Sequence, residues 1–312
     1  MLPSIRDKQE RILLRVSTFF NKMLAIRIME CVIKHAICIF LCLLLTASVC
    51  YAEEDPGECI IHFLDVGQGD AAIIQCGGQT LMIDGGDKDS NQFVYSYLKV
   101  SLHLNYLDYI IATHPHDDHV KGLATALVGC KVGTVYSPVT EYDGEGFGDF
   151  LKQLSNRNAT ITVPHRGDTF MVGGATVTFL SEPKPEWDMN DQSLVVKIQF
   201  GNTSFIFTGD AAWDAEQDLL NSSLDLKADL LKIGHHGSVT SSCQAFLEAV
   251  KPTYAIISVG SDNKYGHPAQ ETLMRLQHIY ASVFRTDKHG TIICISNGET
   301  LGFKMSKKSG KW

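Results

Sequence analysis

Residues 113–119 constrain this chain more than any other stretch, because His114, His116, Asp118 and His119 stand close together in them. The apolar run 107–112 comes directly before and predicts a buried strand from its length and branched aliphatic residues. Imidazoles and carboxylates that leave one rigid element together are typical ligands of zinc-like ions. A histidine-rich surface loop is the simpler interpretation, but the adjacent Asp118-His119 pair favours a metal site.

The composition is that of a globular protein rather than a disordered one. The chain has 312 residues, of which 45% are apolar and 20% charged, enough for one large domain or two ordinary ones. The first 52 residues hold seven of the 27 basic and three of the 35 acidic residues, which leaves a formal charge of −12 on the rest. Overall charge therefore does not draw an acidic ligand to this protein.

Residues 1–52 have the order of a signal peptide or N-terminal targeting segment. A basic stretch precedes the apolar run 36–47, and small residues follow up to Ala52. The run is short for a membrane span. We therefore predict cleavage near Ala52, export, no stable membrane span after cleavage, and a globular domain over residues 53–312.

Three alternatives at the N-terminus remain open. The charged stretch is long for a signal, so Met23 or Met29 is a candidate start. An uncleaved membrane anchor is the second alternative. The third, a lipid tether on Cys50, is disfavoured because Val49 stands where such a signal carries Gly or Ala.

The cysteines give little evidence of a metal site or a disulfide framework. Five lie after residue 52, without Cys-x-x-Cys spacing, and most stand in apolar runs typical of small core residues. A structural zinc knuckle is therefore not expected, and one or two disulfides stay open for an exported chain. These cysteines are Cys59, Cys76, Cys130, Cys243 and Cys294.

Two later strands also end in metal-binding residue types. A predicted hairpin over 193–208 ends at Asp210, whose other interpretation is the N-cap of a helix over 211–220. The apolar run 230–233 delivers His235 and His236 between glycines. Elsewhere the pattern predicts helices over 91–104 and 120–127 and a mobile, glycine-rich loop over 142–148.

The motif His114-x-His116-x-Asp118-His119 resembles the metal-binding signature of the metallo-β-lactamase fold. More narrowly, the chain is similar over nearly all of residues 58–305 to the soluble hydrolase domain of the ComEC/Rec2 competence DNA-uptake family. The family's membrane-channel segments have no counterpart here, so the resemblance is to free-standing, exported relatives. The stretches that carry it are 63–71, 82–86, 113–119, 190–195, 207–210, 232–238 and 263–268.

The resemblance implies an α/β fold, a four-layer αββα sandwich, with its site at one edge between two stacked sheets. It also implies two divalent metal ions, zinc or manganese, with Asp84 orienting a ligand histidine. His235 aligns best with the last ligand, while His236 is a second-shell group, a substitute ligand or a substrate contact. The expected ligands are His114, His116, Asp118, His119, Asp210 and His235.

One position departs from the family pattern. Residues 188–192 lack the histidine that usually serves as the third ligand of the first metal. Asn190, Asp191 or a water is expected to replace it, and the site can then favour a harder ion such as manganese.

The implied activity is phosphodiester hydrolysis through a metal-activated water, with DNA as the leading substrate. Asp117, Asp118 and His267 are the expected catalytic residues, although His267 can equally be structural. The alternatives are a phosphodiesterase on a cell-wall or small-molecule substrate such as phosphocholine, and a catalytically silent metal-binding module; lactam hydrolysis is least favoured. No protein partner is inferred. A basic rim for DNA would have to come from Lys121, Lys264, Arg285 and Lys288.

Overall fold

The computed structural model describes residues 57–307, and nearer the N-terminus residues 18, 22–23, 26–29 and 32–37, which are helical. Contacts divide the chain into one unit ending at Asp55 and a second beginning at Pro56. The predicted cleavage site near Ala52 lies outside the described residues, so the boundary at 52/53 stays a prediction. Across the described residues, no helix combines the length and apolarity needed to cross a membrane.

The second unit contains two mixed sheets. The strands of the first are β1 (Cys59–Phe63), β2 (Ala71–Cys76), β3 (Gln79–Gly85), β4 (Tyr106–Ile111), β5 (Lys131–Tyr136), β6 (Ile161–Thr162), β14 (Ile292–Ser296) and β15 (Leu301–Met305). Those of the second are β7 (Thr169–Val172), β8 (Ala175–Phe179), β9 (Val196–Phe200), β10 (Thr203–Phe207), β11 (Leu230–Lys232), β12 (Tyr254–Ile257) and β13 (Ser282–Arg285). The spatial orders are β15-β14-β1-β2-β3-β4-β5-β6 and β13-β12-β11-β10-β9-β8-β7.

Helices cover the outer face of each sheet. They are α1 (Asn91–Ser96), α2 (Asp117–Gly129), α3 (Glu145–Ser155), α4 (Trp213–Leu220), α5 (Gln244–Val250) and α6 (Gln270–His278), while the short α7 (Thr286–His289) connects β13 to β14. Short non-α turns lie at Lys88–Ser90, Tyr97–Ser101 and Gly234–Gly237.

Three buried clusters define the layers. One is shared by the inward faces of both sheets, as in the stacked pair Phe63 and Phe207. A second packs α1, α2 and α3 on the first sheet, and a third packs α4, α5 and α6 on the second. The predicted four-layer αββα sandwich is therefore confirmed.

Two local predictions were wrong. The glycine-rich stretch 142–148 is not wholly a loop, because α3 begins at Glu145 and buries Phe147 and Phe150 against α2. The glycine content predicted an open loop, but the contacts of the two phenylalanines outweigh the low helix propensity of glycine. The helix expected over 91–104 ends earlier, with a π turn over Tyr97–Ser101.

The parallel strands bring the polar residues to one edge. β3 pairs in parallel with β4, and β11 lies in parallel between β10 and β12, so their carboxyl ends lie side by side. Thr113, Asp210 and His235 follow the ends of β4, β10 and β11 within two or three residues. α2 starts against the same edge, where Gly122 N–H donates to Gly86 O at 2.9 Å.

Candidate metal centre

His119 is fixed by a buried carboxylate at the end of β3. Its Nδ1 lies 2.8 Å from Asp84 Oδ2, and because a carboxylate only accepts, Nδ1 carries the proton. Asp84 is itself held by the N–H and Oγ1–H of Thr113, at 2.8 and 2.7 Å. The other nitrogen, Nε2, therefore faces Asp210 Oδ1 at 3.3 Å, as a ligand nitrogen would.

His236 is oriented in the same way. Its Nδ1 lies 3.1 Å from both Ser258 O and Asp70 Oδ1, and its Nε2 lies 3.2 Å from Asp118 Oδ2. Asp70 is in turn 2.8 Å from Lys232 Nζ, and both side chains are buried.

The Asp70–Lys232 pair had no assigned role in the sequence interpretation. A lysine inside the apolar run 230–233 and an aspartate opening the apolar run 70–74 were the available signals. Buried charges of opposite sign are normally paired, so each predicted a partner of the other sign. Nothing local in the sequence identified that partner.

His114 and His116 lie together on the loop after β4. His114 Nε2 is 3.0 Å from His116 Nδ1 and 3.9 Å from Asp210 Oδ2. His235 approaches the same Asp210 oxygen from the second sheet, with its Nε2 at 3.7 Å. Asp210 thus stands between the loop of the first sheet and the paired histidines of the second.

The donor set fits divalent cations. Ligand atoms of His114, His119 and Asp210, and likewise of Asp118, His119 and His236, lie within 4.8 Å of one another. Three buried atoms in this group have no hydrogen-bond partner among the described residues: His119 Nε2, His236 Nε2 and Asp210 Oδ1. Buried nitrogen and oxygen atoms that converge without hydrogen-bond partners suit a divalent metal ion, which would take the place of the Nε2 protons of the imidazoles.

The carboxylates strongly perturb these imidazoles. Burial opposes protonation of His119, but Asp210, Asp84 and Asp118 outweigh it and hold its pKa well above the usual range. Burial likewise opposes the charge on His236, yet Asp210 and Asp70 raise its pKa to about 10. Strongly shifted pKa values of neighbouring acidic and basic groups in one cleft are typical of functional sites.

A cavity of about 210 Å³ opens over the cluster. His267 lines it, and its Nδ1 is buried without a hydrogen-bond partner in the described part of the chain. Its ring stacks on Tyr265, with centroids 5.6 Å apart, and Tyr265 is 59% exposed. Burial lowers the pKa of His267, which favours a neutral imidazole.

The comparisons with known proteins agree with this geometry. The family model "Metallo-beta-lactamase superfamily" matches residues 64–261. The chain belongs to the metallo-beta-lactamase superfamily. Members are generally metal-dependent hydrolases, and this hydrolase class is the one that the His and Asp cluster fits.

Two curated relatives of this metallo-beta-lactamase chain carry competence-related names. It is 31% identical over 284 residues to "ComE operon protein 3" of Bacillus subtilis, covering 84% of this chain and 36% of that protein. It is 28% identical over 255 residues to "Competence protein ComA" of Neisseria gonorrhoeae, covering 80% and 34%. The predicted ComEC/Rec2 resemblance is confirmed, and the chain spans about a third of the length of these relatives.

A solved structure supports the fold alone. The metallo-beta-lactamase fold protein YhfI of Bacillus subtilis aligns with a TM-score of 0.51 at 13% identity, covering 77% of this chain and 100% of that one.

Asn190 and Asp191, the two predicted substitutes for the missing histidine, have different surroundings. Asn190 lines the cavity, and its Oδ1 is buried with no hydrogen-bond partner in the described residues. Asp191 Oδ1 instead accepts from the N–H groups of Ala212 and Ala215, each at 2.9 Å. Asp191 therefore caps α4, the role that the sequence offered as the alternative for Asp210.

Asp117 also lies outside the His and Asp cluster. Its carboxylate is 2.7 Å from Lys121 Nζ and accepts from Gly146 N–H at 3.1 Å. These contacts hold α3 against α2 and give no support to the predicted proton transfer by Asp117.

Two of the four side chains of the predicted basic rim are paired with acidic neighbours. Lys121 lies within 4 Å of Asp87, Asp117 and Glu145. Arg285 pairs with Asp287 at 2.6 Å. Lys264 lies beside Tyr265, with its Nζ 5.2 Å from the centre of that ring.

Proposed function

We propose that this protein is a metal-dependent phosphodiesterase that acts on DNA. The observation that carries the proposal is the cluster of converging, unsatisfied His and Asp atoms beneath a cavity that ends in an exposed aromatic side chain. Similarity to competence proteins over most of the chain supports nucleic acid as the substrate class.

The residues of the metal centre have distinct roles in this reaction. Divalent ions, when bound, supply an activated water near neutral pH and offset charge on a phosphoryl group. Asp84 and the carbonyl oxygen of Ser258 hold the proton on the Nδ1 atoms of His119 and His236, so that both Nε2 atoms would be available to hold the ions. His267, as a neutral imidazole, donates N–H to a phosphate oxygen. Asp210 joins the two halves of the centre.

A second candidate has its own observation. The larger cavity beside the centre, about 380 Å³, is lined by four aspartates, Asp87, Asp117, Asp118 and Asp262, and by one lysine, Lys264. Such a rim repels a polyanion. It favours the alternative phosphodiesterase on a small or zwitterionic ester such as phosphocholine.

The test compares substrates on one preparation. The purified protein is stripped of metal, reloaded with zinc or manganese, and assayed on linear DNA and on bis(p-nitrophenyl) phosphate beside an Asp118→Ala, His119→Ala double variant. Metal-dependent cleavage of both substrates, lost in the variant, supports the proposal. Cleavage of the small ester alone favours the second candidate. Metal binding without cleavage of either supports the silent module.

A further inference from the structure

Compared with the usual family pattern, this chain lacks one histidine of the metal centre and carries one additional histidine there. Residues 188–192 contain no histidine, whereas His235 and His236 stand side by side after β11. Both have a left-handed backbone, with φ of 48° and 54°. This conformation is energetically unfavourable for residues other than glycine, and it occurs most often at functional sites. The two imidazoles enter the centre from one strained turn.

We infer that His235 supplies the third imidazole of the first metal ion, with His114 and His116, while His236 serves the second ion. This assignment rests on the metal dependence in the proposed function but not on its substrate. It differs from the sequence alignment, which gave His235 the last ligand position of the fold.

The second ion already has two histidines, His119 and His236. His236 Nε2 is buried and lies 3.2 Å from Asp118 Oδ2, and these two residues form a potential metal-binding group with His119. His235 belongs to none of these groups among the described residues, so the assignment of its ion rests on its contact with Asp210. A third imidazole at that ion is therefore not needed.

His235 faces the first half of the centre instead. Its Nε2 lies 3.7 Å from Asp210 Oδ2, the oxygen that is 3.9 Å from His114 Nε2. His236 is equally far from this oxygen, but its nearer carboxylate is Asp118. His235 also lines the cavity together with His116.

The separations suit a shared ion. Two ligands about 2.0–2.1 Å from a tetrahedral ion lie roughly 3.4 Å apart. The His114–Asp210 and His235–Asp210 distances of 3.9 and 3.7 Å are slightly longer, and the His114–His116 distance of 3.0 Å is slightly shorter. Each of these three distances is within about 0.5 Å of the separation expected for two ligands of one ion.

The experiment isolates the first ion and reads metal binding rather than turnover. In the full chain carrying Asp118→Ala and His119→Ala, the second ion loses two of its own ligands. His235→Asn, His236→Asn or Asn190→Ala is then added, with asparagine chosen because it tolerates the left-handed backbone. Bound zinc and manganese are counted after dialysis, and circular dichroism checks that each variant is folded.

We expect one ion in the parent, at least tenfold weaker binding after His235→Asn, and little change after His236→Asn. The inference is overturned if His236→Asn or Asn190→Ala removes the ion while His235→Asn retains it. A His235→Cys variant loaded with Co²⁺ gives a second readout, because thiolate ligation produces a near-ultraviolet charge-transfer band. A folded variant that binds Co²⁺ without that band also overturns the inference. Because no substrate is involved, an absence of DNA cleavage leaves these results interpretable.

Discussion

His119 Nδ1 donates to Asp84 Oδ2 at 2.8 Å, and neither side chain is accessible to solvent beyond 1%. The carboxylate fixes both the tautomer and the ring plane of His119. Asp84→Asn removes the charge but keeps an acceptor and suits the left-handed backbone at this position, with φ of 55°. We expect the affinity for zinc or manganese to fall by about 10- to 100-fold.

Calorimetric titration of the metal-stripped protein measures this change. The control is Asp108→Asn, because Asp108 accepts from Thr80 N–H at 2.8 Å away from the centre. Equal metal affinity in Asp84→Asn and Asp108→Asn would show that Asp84 is only a structural acceptor.

The local part of this centre could be predicted from sequence, since polar residues directly after apolar runs stand at strand ends. Thr113 to His119 and Asp210 are of this kind. Asp70 and Lys232 could not be paired in advance, because their contact joins distant segments and depends on how the sheets stack. The choice between His235 and His236 likewise depends on the conformation of one turn, which residue type does not encode.

The buried pair Lys232 and Asp70 gives a second prediction. Lys232→Met or Asp70→Asn alone leaves one group without its counter-charge, and each is expected to lower the free energy of unfolding by about 3–5 kcal/mol. The double variant removes both groups and is expected to lose less than the sum. Urea unfolding of the wild type, the two single variants and the double variant gives the coupling free energy between Lys232 and Asp70.

Lys197→Met is the matched control, because Lys197 pairs at 2.9 Å with Asp225, whose carboxylate is exposed to solvent. Its expected cost is below about 1 kcal/mol. Strict additivity of the two buried substitutions would argue against a direct charge pair.

Tyr265 offers a test of substrate class. It is exposed, stacks on His267 and lines the cavity over the centre, so an unpaired base can stack on it. Base stacking on an aromatic side chain contributes about 1–3 kcal/mol. We expect Tyr265→Ala to raise KM for single-stranded DNA about tenfold, with little effect on bis(p-nitrophenyl) phosphate.

Tyr280→Ala is the control, because Tyr280 is 93% exposed and lies on none of the cavities at the centre. A parallel loss on both substrates in Tyr265→Ala would point to damage at the centre rather than a lost base contact.

The approach of α2 to β3 gives a fourth prediction. A Cβ at Gly122 would lie 1.7 Å from Gly85 O, so Gly122→Ala must push α2 away from the strand. We expect a loss of about 1–3 kcal/mol in unfolding free energy, together with weaker metal binding, because Asp118 and His119 are in the first turn of α2.

Gly148→Ala is the matched substitution, since Gly148 lies in α3 with nothing within 4 Å of an added Cβ. Its expected effect is a gain of up to about 1 kcal/mol. Thermal and urea unfolding show whether each substitution raises or lowers the unfolding free energy. Equal changes in Gly122→Ala and Gly148→Ala would contradict the packing argument.

Glu216 links α4 to the loop after the paired histidines and predicts a pH dependence. Its carboxyl group is buried and accepts from the N–H groups of Ser242 and Cys243. Burial raises its pKa from 4.5 to about 7, although those amides favour the ionised form. The folded protein thus binds the proton more tightly than the unfolded chain. This contribution to stability is fully present below about pH 4.5 and is lost as pH rises through about 7.

Urea unfolding of the wild type and Glu216→Gln, from pH 4 to 8 in a chelating buffer, isolates this group because the metal ligands titrate alike in both proteins. We expect the wild-type unfolding free energy to fall relative to that of Glu216→Gln as pH rises through the window, and the difference to level off above it. If the unfolding free energy of the wild type instead rises relative to that of Glu216→Gln with increasing pH, the two amides stabilise the carboxylate more than burial destabilises it. Glu216 would then be ionised in the folded protein throughout this range.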